Sequence, residues 1–396
     1  MFDPIKASKE IKDSYIDYIT TTFDMADTDY EREFRKELQT DGMVASGLFL
    51  DIGGSYETGH TLRELIQAQK ASVLFEKLEP VAEKERELKL DRPLYQHQET
   101  AMLKADKGEN LVVTTGTGSG KTESFLLPII NHLLREQEAG TLSAGVRAII
   151  IYPMNALAND QMKRMRALFK NYPQICYGVY NGNTEHTQSK ALAEYHRTYH
   201  DEAGEPIDPA PNEIISREVM QEKPPHILIT NYSMLEYMML RPKDDAVFSG
   251  AKLKFIVLDE AHIYKGSTGM ETSLLMRRLR ARISEPDSVQ YILTSATLGG
   301  PDADGDILSF AEKLCGVAFQ RSGIIRSTEK RPAMEDFLDF APALFEELQR
   351  SPDISSVLAR YHADFAPGGS EGEKLYALFL HSRLFALLRK VAHQPI

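Results

Sequence analysis

The stretch Thr115-Gly116-Thr117-Gly118-Ser119-Gly120-Lys121-Thr122 constrains this chain more than any other. It follows a short apolar run, Leu111-Val112-Val113, and precedes a stretch of helical character that begins near Glu123. Glycines at positions 116, 118 and 120 can take positive φ and let backbone N–H groups close on an anion with no Cβ in the way. A helix starting just after the loop points its free N–H groups and partial positive charge at the same spot. In such a loop the Lys121 ammonium reaches phosphate oxygens, and the Thr122 hydroxyl is a ligand for Mg²⁺. The pattern G-x4-G-K-[ST] is met except at its first position, where Thr115 stands for Gly. Gly116, one residue on, is expected to make that turn.

The rest of the chain has to supply the strands around this loop. Its 396 residues are enough for two or three domains, and 42% hydrophobic residues allow a sizeable core. The two cysteines, Cys176 and Cys315, form no CxxC pattern, so there is neither a disulfide framework nor a zinc site, which suits a reducing cytosol. The N-terminus lacks the apolar core of a signal peptide, and no apolar run reaches the length of a membrane span. The chain reads as soluble and cytoplasmic. Net charge is −12, but residues 1–100 hold 13 Lys/Arg against 21 Asp/Glu, whereas residues 101–300 hold 22 against 23. The acidity therefore lies mostly outside the loop region, and total charge neither supports nor excludes a nucleic-acid partner.

Residues 1–90 read as a helical accessory domain. Ile11, Tyr15, Ile16, Tyr18 and Ile19 follow helical spacing, as do Leu62, Leu65, Ile66 and Val73. Residues 51–55 read as a turn, and the charge run at 83–87 as a solvated face or connector. Over residues 91–320 short apolar runs alternate with helical stretches. Candidate strands are residues 111–114, 147–152, 176–180, 227–229, 254–258 and 290–294. Continuous apolar strands alternating with helices predict an α/β domain with a mostly parallel, doubly wound sheet and ligands at the carboxyl ends of its strands. Pro128 is expected to kink or break the helix after the loop. Residues 184–224, with Pro206, Pro209 and Pro211, read as an exposed insertion.

The polar residues of interest fall at strand ends. Phe255-Ile256-Val257-Leu258 runs into Asp259-Glu260-Ala261-His262, with Asp259 138 residues after Lys121. A strand ending in two acids can hold a metal through Asp259 and let Glu260 orient and deprotonate an attacking water. His262 could bridge from there to a neighbouring element. Upstream of the loop, Gln98 carries an acceptor and a donor that match the N6/N7 edge of adenine; without the loop beside it, it would read as a surface residue. Pro153, Asn155 and Ala156 follow the second strand, and Thr230 and Asn231 the fourth. Ser295, Ala296 and Thr297 follow the sixth. Lys163, Arg164, Arg166 and Lys170 read either as backbone attraction for nucleic acid or as a solvated face.

Taken together these motifs resemble the superfamily 2 DExH-box helicases. Gln98 with Ala101 resembles their adenine-reading element, residues 115–122 motif I, residues 152–161 motif Ia, and residues 225–231 motif Ib. Asp259-Glu260-Ala261-His262 resembles motif II, and residues 294–297 resemble motif III. The finer similarity is to the bacterial and fungal group typified by MrfA and the Hrq-type helicases, with related large helicases of phage-defence systems. Tyr180-Asn181-Gly182-Asn183-Thr184 resembles that group's YDGDT-like element, with Asn for both acids.

The resemblance implies a RecA-like domain that binds ATP and Mg²⁺ through residues 115–122 and Asp259, and moves on single-stranded DNA. Pro153, Asn155, Ala156, Thr230 and Asn231 would contact the strand, and Ser295, Ala296 and Thr297 would link the two sites. It also implies a second RecA-like domain carrying arginine fingers, for which residues 321–396 offer no second strand–helix alternation. Those residues read as a helical segment, the start of an inserted or linking module. The chain then reads as the N-terminal part of a longer helicase or one product of a split gene, with protein partners in a defence or repair complex. The alternative is a nucleotide-gated scaffold or interaction subunit.

Overall fold

The computed structural model describes residues 4–23, 26–40, 42–45, 56–78, 88–116, 118–201, 204–296, 301–328, 330, 338–351, 353–385 and 387. The turn expected at 51–55 and the charge run at 83–87 lie outside them. The chain divides into two compact units, Tyr56–Glu329 and Met1–Ser55 with Lys330–Ile396.

The apolar runs become strands. In the larger unit, β1 (Thr58–Thr61) and β2 (Pro93–Tyr95) form an antiparallel pair. The main sheet has eight strands: β3 (Leu111–Thr114), β4 (Ala148–Tyr152), β5 (Tyr177–Tyr180), β6 (Glu213–Ile214), β7 (Ile227–Asn231), β8 (Phe255–Leu258), β9 (Gln290–Ser295) and β10 (Ile324–Arg326). Their order is β10-β3-β9-β8-β4-β7-β5-β6, and every pairing is parallel. Successive residues serve opposite faces of the sheet. Leu111, Val113 and Ile150 enter one core, while Val112, Ile149 and Ile151 enter the other. Both faces are covered, which is why the strands are continuously apolar rather than alternating.

The sequence expects the helical segment to run to residue 90, but residues 56–78 belong to the larger unit. Leu62, Leu65 and Phe75 are fully buried in the core that also holds Phe125 and Leu133. At the other end β10 lies beside β3, so Ile324–Arg326 is an edge strand rather than part of a helical segment. It is too short for its periodicity to show. The helix Lys121–Glu138 continues through Pro128 without a break. Phe125, Leu126, Leu127, Ile129 and Ile130 are all buried around it. At about 1.5–3 kcal/mol each, they outweigh the ~3 kcal/mol that an interior proline costs.

Residues 184–224 are only partly external. Residues 204–208 are exposed, but Asn212, Glu213, Ser216 and Arg217 are buried and Glu213–Ile214 closes the sheet edge. Polar residues are buried here because they are paired: Glu213 takes a bidentate contact from Arg166, at 2.6 and 2.8 Å. The Asn212 amide donates to the Ile175 carbonyl at 2.9 Å.

In the smaller unit the helices include Pro4–Thr22, Thr28–Gln39, Pro342–Arg350, Ile354–Arg360 and Glu371–His381. Leu344, Val357, Leu358, Ala363 and Leu378 form its buried cluster. Among the described residues no helix is long and apolar enough to cross a membrane.

Candidate active site

The register of the sheet sets the site. Thr114 lies opposite Ser295, and Leu258 opposite Leu293, so the tips of β3 and β8 flank the tip of β9. The loop leaves β3 through Thr115, whose N–H donates to the Ser295 carbonyl at 3.2 Å. The Ser119 hydroxyl donates to the Gly116 carbonyl at 2.7 Å and lies 2.7 Å from the Thr115 hydroxyl. Thr115 thus closes the loop with its side chain, a bond glycine could not make. Positive φ falls at Gly118 and Gly120, at +74° and +72°, and not at Gly116, so the turn expected there is made further along. Gly116 serves close approach instead: a Cβ on it would lie 3.1 Å from the Tyr56 hydroxyl. Thr117 lies outside the described residues.

Two adjacent side chains fasten this loop from behind. His97 Nε2 donates to the Ser119 carbonyl at 2.9 Å, and Gln98 Nε2 donates to the Gly120 carbonyl at 3.0 Å. A nitrogen facing a carbonyl must carry the proton, which fixes the tautomer of His97. Its Nδ1 is buried without a partner. The ring stacks on Tyr95 and meets Tyr56 edge-on; burial holds its pKa below the usual imidazole value. Gln98 Oε1 accepts from the Tyr95 N–H at 2.9 Å. Both ends of the amide expected to read adenine are therefore engaged with protein backbone, and Gln98 is 1% exposed. With two carbonyls tied outward, the loop amides and the start of the helix Lys121–Glu138 are left to face an anion.

On the far side of β9, Asp259 and Glu260 follow β8. Lys121 Nζ lies 3.2 Å from Glu260 Oε1, joining the two strand tips. The Thr294 hydroxyl donates to Asp259 Oδ1 and accepts from the Glu260 N–H at 3.3 Å. Burial raises the Asp259 pKa from its ordinary value, and the neighbouring Glu260 charge adds to this. His262 Nδ1 lies 3.3 Å from Glu260 Oε2 and 3.2 Å from Ser295 Oγ, so it bridges the acids to β9. Glu260 has φ 49° and ψ 47°, a left-handed conformation rare for a non-glycine residue.

Among the described residues no cluster of three or more His, Cys, Asp or Glu could hold a metal. A site sharing its coordination with phosphate and water needs fewer protein ligands, and the oxygens of Thr122 and Asp259 suit Mg²⁺. An open cradle is also present, since a Cβ on Gly118 would meet nothing within 4 Å.

The carboxyl ends of the interior strands β4 and β7 carry the other expected residues. Asn155 Oδ1 accepts from Asn231 Nδ2 at 2.8 Å, and Asn231 Oδ1 caps the helix Tyr232–Leu240 through the Met234 N–H at 2.7 Å. Pro153 is half-buried and Ala156 exposed beside them. Thr230 departs from expectation. It is 1% exposed and its hydroxyl donates to the Tyr180 carbonyl at 2.7 Å, so this side chain is not available to a strand. Its place at a strand end concealed the fact that alternation turns it inward. Ser295 is buried, Ala296 half-buried, and Thr297 lies outside the described residues. The basic stretch is paired with acids: Lys163 with Asp160, Arg164 with Glu123, and Arg166 with Glu213.

Comparison with known proteins agrees with this geometry. The DEAD/DEAH box helicase family matches residues 95–203 and 204–304. The Druantia protein DruE of Escherichia coli (strain UMEA 4076-1) is 32% identical over 413 residues, covering 82% of this chain and 22% of DruE. The ATP-dependent helicase HRQ1 of Saccharomyces cerevisiae is 29% identical over 213 residues, 52% of this chain and 16% of HRQ1. The chain thus spans about a fifth of the length of these relatives. Among solved structures, the DEAD-box helicase Mss116 bound to ssRNA and UDP-BeF has a TM-score of 0.50 at 17% identity. The match covers 78% of this chain and 55% of that one, a likeness of fold.

Proposed function

The chain belongs to the DEAD/DEAH box helicase family, and from that premise we propose that residues 56–329 form the ATP-binding half of a motor that moves on single-stranded DNA. The observation that carries this reading is the 3.2 Å contact between Lys121 and Glu260 across the tip of β9. It joins a phosphate cradle to a carboxylate positioned for proton transfer.

In this reading Lys121 exchanges Glu260 for phosphate oxygens when ATP enters. Glu260, released from the ammonium and still held by His262 through its other oxygen, takes a proton from the attacking water at Oε1. Thr122 and Asp259 would hold Mg²⁺, which supplies charge neutralisation at the phosphates. Thr294 fixes Asp259 and the Glu260 backbone together, so the two acids move as a unit. Asn155 and Asn231 would meet the sugar–phosphate backbone through side-chain amides, without reading sequence. One sheet supplies one wall of such a site. We assign the other wall and the arginine fingers to a second RecA-like domain, carried by the remainder of a longer chain or by a partner in a defence or repair complex.

The test is nucleotide turnover with and without single-stranded DNA or RNA. Turnover stimulated by DNA and abolished in Lys121→Ala supports the motor. ATP binding without nucleic-acid stimulation, even when the second domain is supplied, favours a nucleotide-gated scaffold.

A further inference from the structure

Glu123 and Arg164 take no part in the steps above, yet they connect the two halves of the site. Glu123 lies in the first turn of the helix Lys121–Glu138, immediately after the nucleotide loop. An acid there is favoured by the helix dipole. Its Oε1 accepts from Arg164 Nη2. Its Oε2 is buried without a hydrogen-bond partner, and a Cβ built on Gly120 would lie 3.0 Å from it. One oxygen thus lies beside the loop, and the other is bonded from a second helix.

Arg164 belongs to that second helix, Asn155–Phe169. The two helices share a core, with Met162 and Met165 of one in the same buried cluster as Phe125 and Leu127 of the other. A close-packed core transmits a shift rather than absorbing it. The pair itself is mostly buried, with side-chain exposures of 23% for Arg164 and 19% for Glu123. At this depth solvent screens it less than a surface pair, and losing one partner leaves the other charge partly desolvated. The first residue of the Arg164 helix is Asn155, which bonds Asn231 at 2.8 Å. A run of neighbours therefore leads from Gly120 through Glu123 and Arg164 along the second helix to the Asn155–Asn231 pair.

We propose that the Glu123–Arg164 ion pair is the positioning contact that carries the state of the nucleotide loop to the carboxyl ends of β4 and β7, where Asn155 and Asn231 meet. Occupation of the loop shifts the first turn of its helix. Arg164 follows the carboxylate, and the asparagine pair follows Arg164. The inference rests on the reading of the site given above, in which the loop takes ATP and the asparagine pair meets nucleic acid. A contact of this kind acts on the coupling between two ligands rather than on the binding of either.

The experiment measures the Kd of a labelled single-stranded oligodeoxythymidylate with and without Mg·AMPPNP, in the parent chain and in variants. Mg·AMPPNP is expected to change the oligonucleotide Kd of the parent by about five-fold or more. In Glu123→Gln and in Arg164→Met that ratio falls to about one, while the Kd for AMPPNP alone stays within about two-fold of the parent. The double variant is no worse than either single one, as expected of two groups acting as a unit. Arg164→Lys, which retains the charge, keeps part of the ratio. Glu123→Asp, which keeps both charges and the fold but shortens the reach, lowers it. A structural staple would move the melting temperature but leave the ratio intact, and that result overturns the proposal. A parent that binds both ligands with a ratio of one overturns it as well. A parent that binds neither refutes the motor reading, and this inference with it.

Discussion

The Gln98 side-chain amide donates to the Gly120 carbonyl at 3.0 Å, on the concave side of a backbone that only glycine adopts easily. The Gly120 φ is +72°, and a Cβ there would lie 2.3 Å from Gln98 Nε2. Position 120 is therefore closed to side chains for two independent reasons. Gly120→Ala is expected to cost about 1–2 kcal/mol from the left-handed backbone alone and to lower nucleotide affinity by about tenfold or more. Adding Gln98→Ala removes the clash but not the strain, so the double variant should recover only part of the affinity. Titration with a fluorescent ATP analogue reads both. Full recovery would refute the backbone argument.

Glu260→Gln preserves side-chain shape and the left-handed backbone but removes the proton acceptor. Its expected signature is nucleotide binding near that of the parent, with turnover reduced by ~10²–10⁴. Single-turnover kinetics beside equilibrium binding separates these effects. Undiminished turnover would remove Glu260 from the chemistry.

The Thr294 hydroxyl is the partner that Asp259 has inside the sheet. Thr294→Val leaves a buried carboxylate short of one charge-assisted hydrogen bond, at a cost of about 1.5–3 kcal/mol. Turnover should fall with it, and Thr294→Ser should restore both. Denaturant unfolding checks the first expectation and an ATPase assay the second.

Acidification tests the histidines. Burial is the main reason that the pKa values of both His97 and His226 lie below the free value. The unfolded chain therefore binds their protons more readily than the fold does. Their contribution is complete above the unfolded pKa of about 6.5 and is lost as pH falls through the lower folded values. The melting temperature should drop between neutral and mildly acid pH. His97→Gln keeps a donor for the Ser119 carbonyl without titrating, so its slope should be shallower. An unchanged slope would show that His97 takes up its proton equally readily in the folded and unfolded chain.

Arg166 is open to two readings in the sequence, and the structure makes it the half-buried partner of a buried carboxylate. Glu213, whose side chain is 1% exposed, takes both of its bonds, and its guanidinium lies over the Tyr199 ring at 4.3 Å. Arg166→Met should cost about 3–5 kcal/mol by stranding a buried carboxylate, with little effect on single-stranded DNA affinity. A DNA-binding defect in a variant of parental stability would overturn this.

The places of the glycine-rich loop and of the two acids, and the parallel sheet, are legible because each has a local signature: glycine spacing, or a continuous apolar run ending in polar residues. His97 is not. Its role depends on a carbonyl 22 residues away in sequence, and nothing in its own neighbourhood marks it except that it adjoins Gln98. Thr230 misled for the opposite reason: a polar residue at a strand end looks available until the pleat decides which way it points. The sheet-edge strands Glu213–Ile214 and Ile324–Arg326 escaped because two or three residues carry no period. They form only because a neighbouring strand offers unpaired backbone groups.

The left-handed backbone at Glu260 bears on how this protein could be engineered. A residue in that conformation would be replaced by Asn or Gly in any search for thermal tolerance, since both relax there. With Glu260 in the proposed role of proton acceptor, such a search is expected to succeed by its own measure and deliver an inert protein. Selection for robustness and selection for work diverge at this one position, so a library screened by heat alone should hold 260 fixed.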